Sequence, residues 1–331
     1  MNLEAFFADP WLLLAGKILG VLGVFVAAML VVGYGEHKVM AHMQARLGPM
    51  EAGRFHGWAQ LIADGVKFLQ KEDIVPAAAD RTVFKLAPAV VMIPTLMVFV
   101  VIPWAPGLAA EKLDVGLFYV LAISSVSVVG VLMAAWASAN KFSLIGGLRA
   151  AAQLISYELP LVFASAAVAI QAGTMSLVGI VEAQHAYPFV LTQFVGLAVF
   201  FMAGLAELSR SPFDMPMADS EIIFGSVTEY SGLRMAFFML TEYAGIAAIS
   251  AIASVLYLGG WKGPFYIPGL EKLTAVGWTV SKTLALAFVM IWARSTFPRL
   301  REDQLQRFSW QLLIPTSLGL ILVVGACKVV F

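Results

Sequence analysis

Residues 11–33 read WLLLAGKILGVLGVFVAAMLVVG, a run whose only charge is Lys17. A helix rises about 1.5 Å per residue, so about 20 apolar residues cross a bilayer core of about 30 Å. The run is therefore a transmembrane helix, with Lys17 able to snorkel toward an interface. Similar runs recur at 86–106, 114–138, 153–173, 187–206, 235–258, 274–293 and 309–330. The chain has 331 residues, 60% of them hydrophobic and 13% charged. A soluble domain carries about 25% charged residues. The expected fold is an all-α integral membrane protein of about eight transmembrane helices, forming a single polytopic domain over residues 1–331.

Tryptophans Trp11, Trp104, Trp136, Trp261, Trp278, Trp292 and Trp310 fall near the ends of these runs, where an indole sits half in the headgroups. Counting Lys and Arg gives the orientation. Alternate connections, beginning with the first, hold fifteen and the other side holds four, Lys112, Lys262, Lys272 and Lys328. The basic side is expected to face the cytoplasm, with both termini outside. Glu4 and Asp9 precede the first run without a basic segment, which argues against a cleaved signal peptide. The net charge is zero, so nothing suggests nucleic acid. Cys327 is the single cysteine, so the chain cannot hold an iron–sulfur cluster alone. His37 and His42 are five apart and do not share a helical face, and no metal site is expected.

Two basic-side connections are long. In 34–85, Phe55, Trp58, Leu61, Ile62, Val66 and Leu69 fall at near-helical spacing, predicting an amphipathic helix on the membrane surface. In 207–234, acids mix with Pro, Gly and aromatics. Pro212 and Pro216 oppose a continuous helix, since each removes a backbone donor. A folded loop with a short helix after Pro216 is expected, partly buried through Phe213, Met215, Met217 and Phe224.

Polar residues in apolar surroundings carry the chemical signal. Glu158 lies in the fourth run and Glu242 in the sixth, neither with a basic neighbour at helical spacing in its own segment. An acid at mid-bilayer costs about 2.5–3.5 kcal/mol on insertion scales, so it faces protein or water. Such an acid suits a proton relay; the plainer reading is a carboxyl satisfied by another helix. Pro160, two residues after Glu158, frees carbonyls beside it. The loop acids Glu207, Asp214, Asp219, Glu221 and Glu229 face only Arg210 and Arg234 within the segment. They form either a solvated acidic loop or a buried cluster. Arg46 reads first as a positive-inside anchor and second as the lining of a site for a polar head group. Arg294, Arg299 and Arg301 flank Pro298 in RSTFPRLREDQLQRF, a topology signal whose basic, aromatic and acidic mixture also suits docking to a soluble protein.

Five ordered stretches resemble one family: EHKVMAHMQARLGPM at 36–50, QLIADGVKFLQKEDIVPAAADRTVFKLAP at 60–88, LRAAAQLISYELP at 148–160, AELSRSPFDMPMADSEIIFGSVTEYSGLRMAFFMLTEYAG at 206–245, and RSTFPRLREDQLQRFSWQLLIP at 294–315. Together they resemble the H subunit of bacterial NADH-quinone oxidoreductase, respiratory complex I. The resemblance implies the membrane half of a quinone site, clasped by soluble subunits that carry the iron–sulfur cluster and flavin, with other membrane subunits and lipid alongside. Quinone is then the substrate, and this chain binds no cofactor alone. It places Glu36, Arg46 and Arg294 at the quinone tunnel or its entrance, and Arg210 and Phe213 of the coupling loop are expected to join them in binding quinone. It assigns Glu207, Asp214, Asp219, Glu221 and Glu229 to a coupling loop, and Glu158 and Glu242 to the start of a proton path. Departures from the family pattern are His37 and Ser209, where many members have Arg and Asn, and Met217, where many carry a further acid.

Reducing a quinone in a closed, low-dielectric site creates negative charge and demands two protons, and nearby carboxyls respond because Coulomb coupling is strong where water is scarce. The competing readings are a membrane subunit of a proton-pumping NiFe-hydrogenase-type complex, a stand-alone ion transporter and a passive anchor. TEYSG and the KED-to-KLAP stretch favour the quinone reading. A transporter would show paired broken helices, and an anchor gains nothing from buried Glu158 and Glu242.

Overall fold

A computed structural model describes residues 10–185, 187–217 and 219–330, without the side chains of Asp219 and Ser220. The predicted acids Glu4 and Asp9 lie outside the described residues. The helices are α1 (Pro10–Met43), α2 (Gln60–Gln70), α3 (Arg81–Val101), α4 (Gly116–Ala137), α5 (Lys141–Ala172), α6 (Leu177–Ala183), α7 (Phe194–Glu207), α8 (Asp219–Ile222), α9 (Gly232–Tyr257), α10 (Glu271–Thr296), α11 (Glu302–Arg307) and α12 (Ile314–Val330). A π-helical segment, Phe308–Leu313, joins α11 to α12. Among the described residues, seven helices are long and apolar enough to cross a membrane, the last counted through α11 and α12. The eighth expected span is α7, whose 14 residues cover only about 21 Å; the 3-10 turn Phe189–Leu191 precedes it.

Helix boundaries differ from the apolar runs for identifiable reasons. The polar residues after Gly33 do not stop α1, which runs to Met43; the chain turns only at Ala45 and Gly48, both with positive φ. α3 and α5 start earlier than their apolar runs because side chains cap them. Asp80 Oδ1 accepts from the backbone amides of Thr82 and Val83 at 3.1 and 3.3 Å, and Asn140 Oδ1 accepts from that of Phe142 at 2.9 Å. Arg54, His56 and Gly57 have positive φ, so the amphipathic helix starts at Gln60 and leaves Phe55 and Trp58 in the preceding turns. None of the residues of α2 is buried, and Ile62, Val66 and Leu69 form an exposed apolar strip.

α9 is the axis of the bundle. Every residue from Ala244 to Tyr257 is buried, as expected for a helix apolar on all sides. Its small residues allow close approach: a Cβ on Gly245 would stand 2.5 Å from Leu208 Cδ2. The 207–234 segment folds back against α5. A Cβ on Gly146 would lie 2.5 Å from Gly225 Cα, and Ser143 Oγ donates to Ser226 O at 2.9 Å. Phe213, Met215 and Ile222 are buried, as the apolar content of the loop predicts, whereas Phe224 stays exposed. The short helix after Pro216 is α8.

A buried charge network beside a polar cavity

Arg210 is the centre of the site. It follows α7 by three residues and is 4% exposed. Its Nη1 donates to Glu36 Oε2 at 2.5 Å, and its Nε lies 2.5 Å from Glu242 Oε1. The other oxygen of Glu36 accepts from Arg294 Nη1. The Tyr243 ring lies under the guanidinium, 5.3 Å from centroid to Cζ. Two carboxylates and two guanidiniums from α1, the 207–234 loop, α9 and α10 therefore meet in one place. Burial works against the Arg210 charge, but the Glu242 and Glu36 carboxylates push its pKa upward. Arg210 is a fixed cation.

Glu242 is paired with a cation from outside its own segment. Its own helix supplies none, but the loop delivers Arg210 to it. Breaking such a buried group by removing one partner costs about 3–5 kcal/mol, because the remaining charge is uncompensated.

The network borders a cavity of about 350 Å³ lined by Glu207, Asp214, Arg210, Glu242 and Arg294 on its polar side. Apolar walls come from Val98, Phe200 and Ile249 among others. This volume holds several water molecules. Asp214 pairs with Arg299 at 3.2 Å. Glu207 ends α7 and is coupled electrostatically to Glu158 of α5, with the Ser124 hydroxyl close by. Gln153, fully buried, fixes this geometry: its Nε2 donates to Ala206 O at 2.7 Å and to Phe213 O at 2.8 Å. The polar groups thus run from Glu36 and Arg294 through Arg210 and Glu242 to Asp214, Glu207 and Glu158.

Other predicted site residues lie elsewhere. Arg46 is exposed, donates to Gln44 Oε1 at 2.8 Å, and is not brought to the network. Phe213 does not line this cavity. It packs edge-on to Tyr157, with ring centroids 5.3 Å apart, and faces a separate, almost wholly apolar cavity with Trp292, Phe297 and Phe308. Glu221 pairs with Arg149 at 2.6 Å and Glu229 accepts from Asn140 Nδ2 at 2.5 Å, so both tie the loop to α5. Asp219 opens α8, and its side chain lies outside the described residues. Among the described residues, no cluster of His, Cys, Asp and Glu has the arrangement of a metal site.

Sequence reading passed over Tyr243, Gln153, Ser124, Arg149 and Arg299 as site residues. Tyr243 adjoins Glu242 and Gln153 lies in the same quoted stretch as Glu158, so proximity to an intramembrane acid was an available signal for both.

Comparison with known proteins gives one consistent answer. The family described as NADH dehydrogenase matches residues 16–325. The NADH-quinone oxidoreductase H subunit of Geobacillus kaustophilus is 44% identical over 315 residues, covering 94% of each chain. The H 2 subunit of the same oxidoreductase in Syntrophobacter fumaroxidans is 46% identical, covering 96% of each chain. The H subunit of Geobacillus thermodenitrificans is 43% identical across 100% of this chain and 96% of its own. The chain belongs to the H-subunit family of the NADH-quinone oxidoreductases. It is a multi-pass bacterial membrane protein and a subunit of that oxidoreductase complex, whose other subunits are its partners.

Proposed function

We propose that this subunit forms the membrane half of the quinone site and couples quinone reduction to proton translocation through the buried charge network. Its relatives are named for quinone, and the network supplies what the chemistry needs. Reduction places negative charge near Arg210 and Arg294. In a low-dielectric setting that charge is felt strongly by Glu36, Glu242, Asp214 and Glu207. Protons then redistribute along the cavity toward Glu158. The observation that carries this reading is the continuity between the Glu36, Arg210, Glu242 and Arg294 group and the cavity holding Glu207 and Asp214.

The fifteen-to-four charge split supports a cytoplasmic position for the loops, with both termini outside. Soluble subunits bearing the iron–sulfur cluster and flavin would dock on those loops, and the lipid bilayer would surround the apolar faces. The test is to reconstitute the complex in proteoliposomes and measure quinone reduction beside proton movement. Arg294→Gln should raise the KM for quinone, while Glu207→Gln should reduce protons moved per NADH oxidised. Wild-type values for both variants would overturn the proposal.

A further inference from the structure

The two helices that meet beside Glu158 are each interrupted by a proline. Pro160 cannot donate to the carbonyl of Ser156, four residues earlier, and so orphans it. Pro315 would likewise crowd the carbonyl of Gln311. The chain widens into π geometry over Phe308–Leu313, just before that proline. The two defects fit together. Ser309 of the π segment donates its hydroxyl to the orphaned Ser156 O at 2.6 Å. Ser309 is fully buried and Ser156 nearly so, so no water competes for that bond.

Adjacent contacts make this a lock rather than a lone bond. The Ser156 hydroxyl has one proton and two acceptors at 2.7 Å, Ala152 O on its own helix and Gln306 Oε1. The Tyr157 hydroxyl donates to Leu305 O at 2.9 Å, and both residues are fully buried. Three points of α5 immediately before Glu158 are therefore held by α11 and the π segment. The Glu158 carboxyl is not held directly. It is coupled electrostatically to Glu207, and Pro160 two residues on loosens the helix that carries it.

We infer that Ser309 and Gln306 are positioning residues for proton transfer: by satisfying the carbonyl freed by Pro160 and engaging the Ser156 hydroxyl, they set the α5 kink that points Glu158 at Glu207. This rests on the coupling role proposed for Glu158. Ser309→Ala should orphan Ser156 O again and let the kink relax. Small misplacements of a reacting group act on about a tenfold scale or more in rate.

The experiment uses the assembled complex in proteoliposomes, with NADH oxidation, quinone reduction and proton movement read across a pH series. Ser309→Ala is expected to assemble and reduce quinone while its coupled turnover falls about tenfold and its pH profile moves. Ser309→Thr, which keeps the hydroxyl, should restore both. Ser309→Cys, a weak donor of similar size, should fall between them and serves the same comparison if the alanine variant fails to accumulate. Wild-type coupling and pH profile in Ser309→Ala, or in Ser309→Cys where that substitutes, would overturn the inference while Glu158→Gln remains defective. If Glu158→Gln itself couples normally, the coupling role of Glu158 fails, and this inference with it.

Discussion

Glu36 and Arg210 are 174 positions apart in the chain and 2.5 Å apart in the fold. One comes from the basic-side end of the first helix and the other from a loop following the seventh. Each is nearly inaccessible, at 6% and 4% side-chain exposure. A pair this buried cannot be broken cheaply. Arg210→Met should destabilise the protein by about 3–5 kcal/mol, since Glu36 and Glu242 then face each other with Arg294 as the remaining cation nearby. Adding Glu36→Gln should recover part of that loss, a coupling that a double-mutant cycle on thermal inactivation of the complex would measure. Additive losses would contradict the pairing.

Arg294 should behave differently. It shares Glu36 but is 35% exposed, so solvent screens much of its contribution to stability. Arg294→Gln should leave assembly within about 1 kcal/mol of wild type and raise the KM for quinone severalfold. Blue-native gels and a quinone titration separate the two effects. Reduced assembly, with an unchanged KM in the complex that does form, would assign Arg294 to structure instead.

The contact between α5 and the coupling loop is made where neither partner has a side chain. Gly225 has φ of +55°, and a Cβ there would collide with Pro216 O. Gly146→Ala would press on Gly225 Cα from the other side at 2.5 Å. Both substitutions should displace the loop that carries Arg210 and Asp214, and lower coupled turnover more than an alanine at the open Gly35 site. Equal effects at all three positions would argue against a specific contact.

Tyr230 anchors the far end of that loop. Its hydroxyl donates to Phe84 O at 3.1 Å, and its ring stacks on Phe84 with centroids 4.0 Å apart. Tyr230→Phe should keep the stack and cost about 1 kcal/mol through the lost hydrogen bond. Burial pushes the Tyr230 phenol above its usual value, outweighing a lowering by Arg234. The folded state therefore keeps that proton longer than the unfolded state does. The stability it contributes is present below about pH 10 and lost as pH rises through the folded value. The alkaline decline in thermal stability should be shallower in Tyr230→Phe. An identical decline would deny Tyr230 this role.

The fold was legible because membrane insertion writes itself into composition: a run such as 11–33 has few alternatives once water is replaced by lipid. Boundaries were less legible where polar residues continue a helix, as Glu36, His37 and Lys38 continue α1, or where Asp80 and Asn140 cap helices ahead of their apolar runs. Of the site, the rare intramembrane acids stood out individually. Their pairing did not, because Arg210 reaches Glu242 through loop geometry that no local spacing encodes. Arg149 reads in the sequence only as one of the basic-side charges and Asn140 carries no signal, yet they tie down Glu221 and Glu229 and leave Glu207 and Asp214 as the loop acids of the cavity. The lock at Ser309 was equally hidden, since it joins the π segment to a carbonyl 153 positions away in another helix.

In the proposed coupling, charge created by quinone reduction is answered by protons moving through the cavity acids. Glu207 lines that cavity and is coupled electrostatically to Glu158, and it has no cation partner among the described ion pairs. Proton movement per NADH oxidised in proteoliposomes carrying Glu207→Gln is therefore the most direct test. The expected result is assembled complex that still reduces quinone but moves several-fold fewer protons for each NADH. Wild-type quinone reduction with an undiminished proton yield would contradict it.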